Sequence, residues 1–360
     1  MDFTPDEGQQ AVADVVTSAL GRDNSWQALV DGGVIAFGVP ERLGGDGLGL
    51  PEVATALTEI GRHGTVSPAL ATLGLGLVPV IDLASDEQQD RFLAGVAKGG
   101  VLSAALNEPG TSLPDRPKVT LSGGKLSGTK VGVPHAAQAD WLVVTTDSGV
   151  AVVAPTADGV TLTKTPTANH SDEYVVTFSD VAVASGDVLA DVPTGAVSRV
   201  NQLVLAATGA YASGLVAGAL RLTADYVATR EQFGRPLSTF QTVAAQLAEV
   251  YIASRTITLA STSVVWRLSE GRDAAEDLDV LGYWLTSQAP PVMQLCHHLH
   301  GGMGMDIAYP MDRYYSTIKD LTRLLGGPSH RLDLVGALCT SNSHPSRSSC
   351  KPNCANTSRR

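Results

Sequence analysis

One segment, Arg230–Gln241, holds the residues best suited to bind a charged ligand. Arg230 carries a planar guanidinium that can bind a phosphate or pyrophosphate through two hydrogen bonds at any working pH. Phe233 adds a flat apolar face three residues later, and Gly234 lets a ligand approach the backbone closely. The segment also separates two helical patterns, so it has an ordinary interpretation as a connection between helices. Both interpretations stay open at this point.

A second segment of interest, His297-His-Leu-His-Gly-Gly-Met-Gly304, is rich in histidine and glycine. His297, His298 and His300 are residue types that bind metal ions, but no carboxylate or cysteine is placed to complete a ligand set. We therefore predict no metal site. One histidine of the segment is expected to support the fold or to lie beside a bound cofactor.

The composition is that of a folded, acidic protein. The 360 residues are 44% hydrophobic and 17% charged, and the net charge of −11 argues against nucleic acid or an anionic membrane surface as a partner. The acidic start Met1–Glu7 has neither the basic nor the apolar region of a signal peptide. Four cysteines are too few for a disulfide scaffold. We therefore expect a cytoplasmic location.

Sequence patterns divide the chain into three predicted domains and a tail. Residues 1–103 are predicted to be helical, and residues 104–192 to form a small antiparallel β-barrel or sandwich. Residues 193–338 return to helical periodicity and predict a four-helix bundle. Residues 339–360 lack an apolar period and are predicted to be a disordered tail or an appended end. The fold class is therefore α+β and multidomain.

The expected elements follow from local signals. They are strands at Leu126–Val131, Trp141–Thr146, Val150–Ala154 and Glu173–Phe178, and bundle helices at 199–229, 239–270, 274–300 and 311–322. Thr4 is expected to cap the first helix, and Ser238 or Thr239 the second bundle helix. Pro236 is expected to stop the helix before it. The uncharged run Asn201–Leu220 is long enough to cross a membrane, but its Gly, Ser and Thr content favours a buried bundle helix.

Two motifs together resemble the C-terminal domain of acyl-CoA dehydrogenases. They are Arg230-x-x-Phe-Gly-Arg-x-Leu-x-x-x-Gln241 and His300-Gly-Gly-x-Gly304, the latter followed by Pro310-x-x-Arg313. The loop Pro40-Glu-x-x-Gly-Gly45 is similar to the N-terminal domain of the same family. The resemblance covers about residues 3–338. It implies the acyl-CoA dehydrogenase fold and FAD as the cofactor.

The resemblance also implies a flavin site that is shared by two subunits. In this family one subunit binds the flavin ring through its β domain, and its neighbour binds the adenosine and pyrophosphate half. The resemblance assigns this second half to a set of residues in the bundle, namely Arg230, Phe233, Gln241, His298, Gly301, Gly302 and Gly304.

The other half of the site departs from the family pattern. Family members carry (Thr/Ser)-Glu-Pro-x-x-Gly-Ser-Asp and Trp-Ile-(Thr/Ser)-Asn, where this chain has Asn107–Asp115 and Lys130–His135. The reaction also needs a glutamate that removes the proton from Cα of the thioester. The two family positions of this base hold Leu325 and Val204, which cannot take a proton. The resemblance therefore implies that this chain carries no catalytic residue.

A chain of this kind resembles the base-less subunit of actinobacterial heterotetrameric (α2β2) steroid side-chain dehydrogenases, which act in cholesterol catabolism. The resemblance implies a homologous partner subunit and α,β-dehydrogenation of a steroid-CoA thioester with a three-carbon side chain. It leaves the electron acceptor open. Two alternatives remain: a homo-oligomeric dehydrogenase or oxidase with an unrecognised base, and a non-catalytic scaffold that binds acyl-CoA.

Overall fold

The computed structural model describes residues 3–189 and 195–341, and its N-terminal part is helical. The helices are α1 (Glu7–Arg22), α2 (Trp26–Asp31), α3 (Leu50–Arg62), a π-helix (Leu70–Leu77) that continues as α4 (Val78–Leu83), and α5 (Asp86–Leu93). The predicted cap Thr4 is wrong, because Asp6 caps α1. Its carboxylate accepts a hydrogen bond from Gln9 N (2.8 Å), and the Gln9 side chain accepts one from Asp6 N (3.1 Å).

The middle part contains two four-stranded sheets. One has the order β1 (Leu102–Ala105), β4 (Trp141–Thr146), β5 (Gly149–Val153) and β8 (Val188–Leu189); the other has the order β2 (Thr120–Ser122), β3 (Lys125–Pro134), β7 (Glu173–Ala182) and β6 (Val160–Thr165). The four predicted strands correspond to β3, β4, β5 and β7. The predicted small antiparallel domain is confirmed, and within it one strand pair, β1 and β4, is parallel. The predicted boundary at residue 103 falls inside β1.

The two sheets form a sandwich with its own apolar core. Leu126, Val176 and Phe178 of one sheet and Leu142 and Val144 of the other are buried in one cluster. Their alternation along each strand places every second side chain in this core. The outer face of the sheet that contains β4 packs into the hydrophobic core of the helical parts of the chain.

The C-terminal part is a helical bundle built around one long helix. Its members are α6 (Ala196–Thr229), α7 (Gln241–Ser269), α8 (Ala275–His300), α9 (Met311–Leu324) and α10 (Gly327–Ser341). The α+β architecture is confirmed, but the four-helix prediction omitted α10. Of the predicted tail, residues 339–341 belong to α10, whereas residues 342–360 lie outside the described residues.

α6 lies at the centre of the bundle. Among the described residues it is the one helix long and apolar enough to cross a membrane, and 89% of its most apolar window is buried inside the protein. α3, α7, α8 and α9 all pack against it. The uncharged run Asn201–Leu220 therefore forms the core of a bundle, as its composition predicted.

α3 and α6 cross at a contact that only glycine permits. A Cβ atom on Gly214 would lie 1.9 Å from the carbonyl oxygen of Thr58, and one on Gly61 would lie 2.2 Å from that of Tyr211. The Thr58 hydroxyl donates a hydrogen bond across this crossing to the carbonyl oxygen of Ala210 (3.1 Å). The N-terminal helices are thus held directly against the bundle.

We expect Gly214→Ala to lower the free energy of unfolding by about 1–3 kcal/mol or more, because the added methyl group meets backbone that cannot rotate away. Urea denaturation of the full-length chain would measure this loss. The matched control is Gly21→Ala, since a Cβ there meets no atom within 4 Å. The control should stay within about 1 kcal/mol of the original protein. Equal stability of the two variants would refute the proposed crossing.

Candidate functional site

The predicted ligand-binding segment forms a short hairpin between α6 and α7. β9 (Glu231–Gln232) pairs antiparallel with β10 (Arg235–Pro236), and Phe233 and Gly234 form the turn with φ values of 56° and 76°. Two positive φ values are typical of a type I′ hairpin. For a phenylalanine this conformation costs about 1–3 kcal/mol. The residue is nevertheless 92% exposed, so a strained backbone conformation occurs at an aromatic residue that lies in solvent.

Arg230 lies at the base of this hairpin, where its backbone is hydrogen-bonded and its side chain is exposed. Its backbone N–H donates to the carbonyl oxygen of Tyr226 (2.8 Å), and its own carbonyl accepts from Leu237 N (2.9 Å). The residue is exposed. Within residues 3–189 and 195–341, its guanidinium forms no ion pair with a carboxylate. Arg235, by contrast, lies over the Phe240 ring at 4.1 Å. The guanidinium of Arg230, rather than that of Arg235, is therefore available to bind a pyrophosphate.

The capping predictions for this segment are wrong. α7 begins at Gln241 with Phe240 as its N-cap residue, and neither Ser238 nor Thr239 caps it. The Thr239 hydroxyl instead donates to the carbonyl oxygen of Pro236 (2.7 Å). α6 ends at Thr229, as its predicted range has it, so the helix ends before Pro236 and is not stopped by it. The first turn of α7 therefore keeps backbone N–H groups without a side-chain cap, and Gln241 is exposed beside them.

The histidine- and glycine-rich segment forms the turn after α8. Gly301 has φ 57° and ψ −136°, a conformation open to glycine. His298, Gly301 and Gly302 are exposed, whereas Gly304 is buried. A Cβ on Gly304 would lie 2.8 Å from the carbonyl oxygen of His297, so this glycine lets the turn pack against the helix end.

A stacked pair of rings brings the two segments to the same end of the bundle. The His300 ring stacks on Tyr226 with centroids 4.6 Å apart, and its Nδ1 is hydrogen-bonded to the carbonyl oxygen of Cys296 (2.8 Å). Tyr226 lies in the last turn of α6 and His300 in the last turn of α8. Burial lowers the pKa of His300, which favours the neutral ring. His300 is thus the structural histidine of the group.

Lys130, which begins the second divergent segment, is part of a buried ion pair. Its ammonium group donates to Glu108 Oε1 (2.9 Å), to the carbonyl oxygen of Leu106 (3.0 Å) and to Thr145 Oγ1 (3.0 Å). Lys130 is fully buried and Glu108 is 4% exposed. Burial lowers the pKa of Lys130 to about 8, against the opposing effect of Glu108. Both residues lie in the segments that depart from the family's flavin motifs, and in the structure they form a buried ion pair.

Asn107, the first residue of the other divergent segment, also has a structural role. Its Nδ2 donates to the carbonyl oxygen of Leu324 at the end of α9 (2.8 Å), and its Oδ1 accepts from Leu113 N (2.8 Å). This side chain ties the β domain to the bundle. The side chain is buried.

The space between the β domain and α9 is a narrow slot. Gly132, Pro134 and His135 line one side, and Thr317 and Leu324 line the other. The cavity holds about 80 Å³. Pockets for drug-sized ligands hold about 300–1,000 Å³, so this slot is too small for a flavin ring in the present arrangement.

Two polar contacts close this slot. Arg323 of α9 binds Glu173 of β7 through two hydrogen bonds of 3.0 and 2.6 Å. Asp320, one turn earlier, accepts hydrogen bonds from the backbone of Ala168 (3.1 Å) and Asn169 (2.9 Å) in the loop before β7. No local sequence pattern indicates either contact, because the partners are about 150 positions apart.

Val204 and Leu325, which the resemblance assigns to the two family positions of the base, lie in apolar surroundings. Val204 is fully buried in α6, and Leu325 is 1% exposed at the end of α9. The carbonyl oxygen of Leu325 accepts a hydrogen bond from Arg331 Nε (2.8 Å). Arg331 lines a separate cavity of about 350 Å³ together with Asp279, and burial raises the pKa of Asp279.

Comparison with known proteins identifies the family. The acyl-CoA dehydrogenase N-terminal domain matches residues 2–100, and the acyl-CoA dehydrogenase C-terminal domain matches residues 206–334. Acyl-CoA dehydrogenase FadE28 of Mycobacterium tuberculosis is 74% identical over 340 residues, which cover 94% of this chain and 99% of the relative. The chain belongs to the acyl-CoA dehydrogenase family. Members of this family are FAD-dependent oxidoreductases.

Solved structures of similar acyl-CoA dehydrogenases include complexes of two chains. The ChsE4–ChsE5 complex from Mycobacterium tuberculosis matches with a TM-score of 0.86 and 27% identity, covering 96% of this chain and 100% of that chain. A variant of the Tcur3481–Tcur3483 steroid ACAD matches with a TM-score of 0.86 and 29% identity, covering 94% and 99%. The similarity therefore extends over nearly the whole chain in both cases.

The two halves of the predicted cofactor site differ in this chain. The hairpin and the glycine turn lie at one end of the bundle, with Arg230, Phe233, Gln241, His298, Gly301 and Gly302 exposed and Gly304 packed inside. The slot beside its own β domain is closed. The cofactor roles of these residues stay predictions.

Proposed function

We propose that this chain is the non-catalytic subunit of a heterotetrameric (α2β2), FAD-dependent acyl-CoA dehydrogenase. In this proposal it binds the adenosine and pyrophosphate half of an FAD whose ring half and catalytic base lie in a homologous partner subunit. The contrast between an open half-site at the hairpin and a closed slot at its own β domain carries the proposal. A homo-oligomer with one FAD per chain would need both parts open in every chain.

The residues at the hairpin fit a nucleotide better than they fit a structural role. Arg230 is exposed without an ion-pair partner among the described residues, and the start of α7 presents uncapped N–H groups of the kind that bind anions. Phe233 offers an exposed ring that suits stacking or apolar contact with the flat parts of a dinucleotide. These groups lie on the outer surface, where another subunit can meet them.

The surface around the hairpin supports a partner subunit. Seven of the eleven exposed large apolar side chains among the described residues belong to the hairpin, to α7 or to the segment after α8: Phe233, Tyr251, Ile252, Leu259, Met303, Met305 and Ile307. We call this set the α7 surface. Exposed apolar side chains concentrated in this way mark protein interfaces. The chain's similarity to one subunit of two-chain complexes favours a homologous chain as the partner.

FAD, when bound, accepts the hydride that leaves Cβ of an acyl-CoA thioester. This chain's residues would hold the nucleotide end, while the partner would supply the carboxylate that removes the Cα proton. We propose a steroid-CoA thioester with a three-carbon side chain as the substrate; the similarity to a steroid ACAD supports the steroid class. The proposal also places the complex in the cytoplasm, which rests on sequence composition alone.

A second candidate is a homo-oligomeric dehydrogenase with an unrecognised base. The observation in its favour is Asp279, because its pKa is raised by burial and it lines the 350 Å³ cavity beside Arg331. Asp279 also interacts with Arg331, and the guanidinium opposes the rise of its pKa. This candidate requires one FAD per chain in the absence of any partner.

Flavin content separates the two candidates. We expect the full-length chain, purified alone, to show almost no flavin absorbance, and the complex with its homologous partner to contain close to one FAD per heterodimer. One FAD per chain without the partner, together with turnover of any acyl-CoA, would overturn the proposal. In that case Asp279→Asn should abolish turnover if Asp279 is the base.

A further inference from the structure

Side chains of this chain cross the slot between the β domain and α9 and leave a cavity of about 80 Å³. Arg323 reaches from α9 across the slot to Glu173, and its Nη1 lies 3.5 Å from the point where a Cβ on Gly132 would be. A planar guanidinium thus covers the glycine on β3. Glu173 is 8% exposed, so the contact is shielded from water on the sheet side.

A network of further hydrogen bonds holds this contact in place. Glu173 Oε1 also accepts from Thr165 Oγ1 (3.2 Å), and Arg323 also lies 3.4 Å from Asp320. Asp320 in turn holds the backbone of Ala168 and Asn169. We call Arg323, Glu173 and Asp320 the slot network. Every charged group of the network therefore has an oppositely charged or hydrogen-bonding partner within the chain.

We infer that the slot network is an internal plug that keeps a flavin ring out of this chain's own β domain, and that Arg323 determines on which side of the heterodimer the ring lies. The inference deepens the proposed function and rests on it. A ring that entered the slot would have to separate Arg323 from Glu173. The half-buried guanidinium and the buried carboxylate would then each lose the other as an ion-pair partner. The partner's slot, if it lacks this pair, is then the one available to the ring.

The test uses riboflavin, which has the ring but lacks the adenosine half that Arg230 is proposed to bind. The double variant Arg323→Ala and Glu173→Ala removes both charges of the pair that crosses the slot, while Asp320 keeps its hydrogen bonds from Ala168 N and Asn169 N. We expect the full-length double variant to bind riboflavin about ten-fold or more tightly than the original chain, measured by quenching of riboflavin fluorescence. Arg323→Ala alone is the second variant, in case the double variant does not fold.

A matched control is available elsewhere on the chain. Arg199 and Asp82 form a second bidentate pair, with hydrogen bonds of 2.9 and 2.7 Å, away from the slot. Replacing both with alanine should leave riboflavin binding unchanged. Equal riboflavin binding by the original chain and by folded slot variants would overturn the inference. That result would leave the shared-site proposal intact, since the proposal is tested with FAD in the complex.

Discussion

Lys130→Met should lower the free energy of unfolding by about 3–5 kcal/mol, because it leaves the Glu108 carboxylate buried without its cation. Lys130 is fully buried, and its ammonium group makes three hydrogen bonds, all of which the variant loses. Glu108 keeps only backbone donors, Lys118 N and Val119 N. Urea denaturation of the full-length chain, followed by circular dichroism, would measure the loss.

Two further variants show whether this loss comes from the unpaired charge. The double variant Glu108→Gln and Lys130→Met removes both charges, so it should be more stable than Lys130→Met alone. Lys164→Met is the matched surface control, since Lys164 pairs with Asp172 while 65% of its side chain is exposed. Exposed pairs contribute about 0.2–1 kcal/mol, so this control should change little. A Lys130 variant as stable as the Lys164 variant would contradict the argument.

The predictable parts of the fold were those with a strong local pattern. Trp141–Thr146 is a strand with the predicted bounds, because β-branched residues follow an aromatic residue and a turn follows them. β6 was missed because Val160–Thr165 is an edge strand with mostly polar, partly exposed residues. α10 was missed because Gly326-Gly327-Pro328 at its start is typical of a loop, although proline is well tolerated in a first helical turn.

The site was predictable only where it is local in sequence. The hairpin and the glycine turn were found from their motifs, and the burial of His300 could have been found from helix phase. Met293, Cys296 and His300 are spaced three and four positions apart, so they share the buried face of α8. Arg323 and Glu173 lie 150 positions apart, and no periodicity connects them. Contacts of this kind depend on how domains meet, which a local pattern does not encode.

The strain at Phe233 connects the local pattern to the proposed role of the hairpin. A type I′ turn with a glycine in place of Phe233 would be less strained, and an exposed phenylalanine gains little from burial in this chain alone. Its ring makes an edge contact with Phe240 (centroids 6.2 Å apart), and it gains further contacts when another molecule covers the α7 surface. The exposure of Phe233 agrees with the subunit interface that we propose at the hairpin.

Arg230→Ala should weaken FAD binding by the complex about ten- to hundred-fold, since charge-assisted hydrogen bonds contribute about 1.5–3 kcal/mol. The side chain is exposed and forms no ion pair among the described residues, so the variant should fold normally. Equilibrium dialysis of FAD against the purified complex would measure the change. Arg230→Lys keeps the charge but loses the planar fork, and should give an intermediate affinity.

Arg272→Ala is the control for a general effect of removing an arginine from this part of the bundle. Arg272 lies just beyond the other end of α7, where its guanidinium covers the Trp266 ring at 4.7 Å. The control should leave FAD binding unchanged while Arg230→Ala loses it. If the Arg230→Ala complex retained FAD as tightly as the control, the pyrophosphate would have to bind elsewhere. The open guanidinium at the hairpin would then have no role in the cofactor site, and the division of the flavin between two subunits would lose its main support.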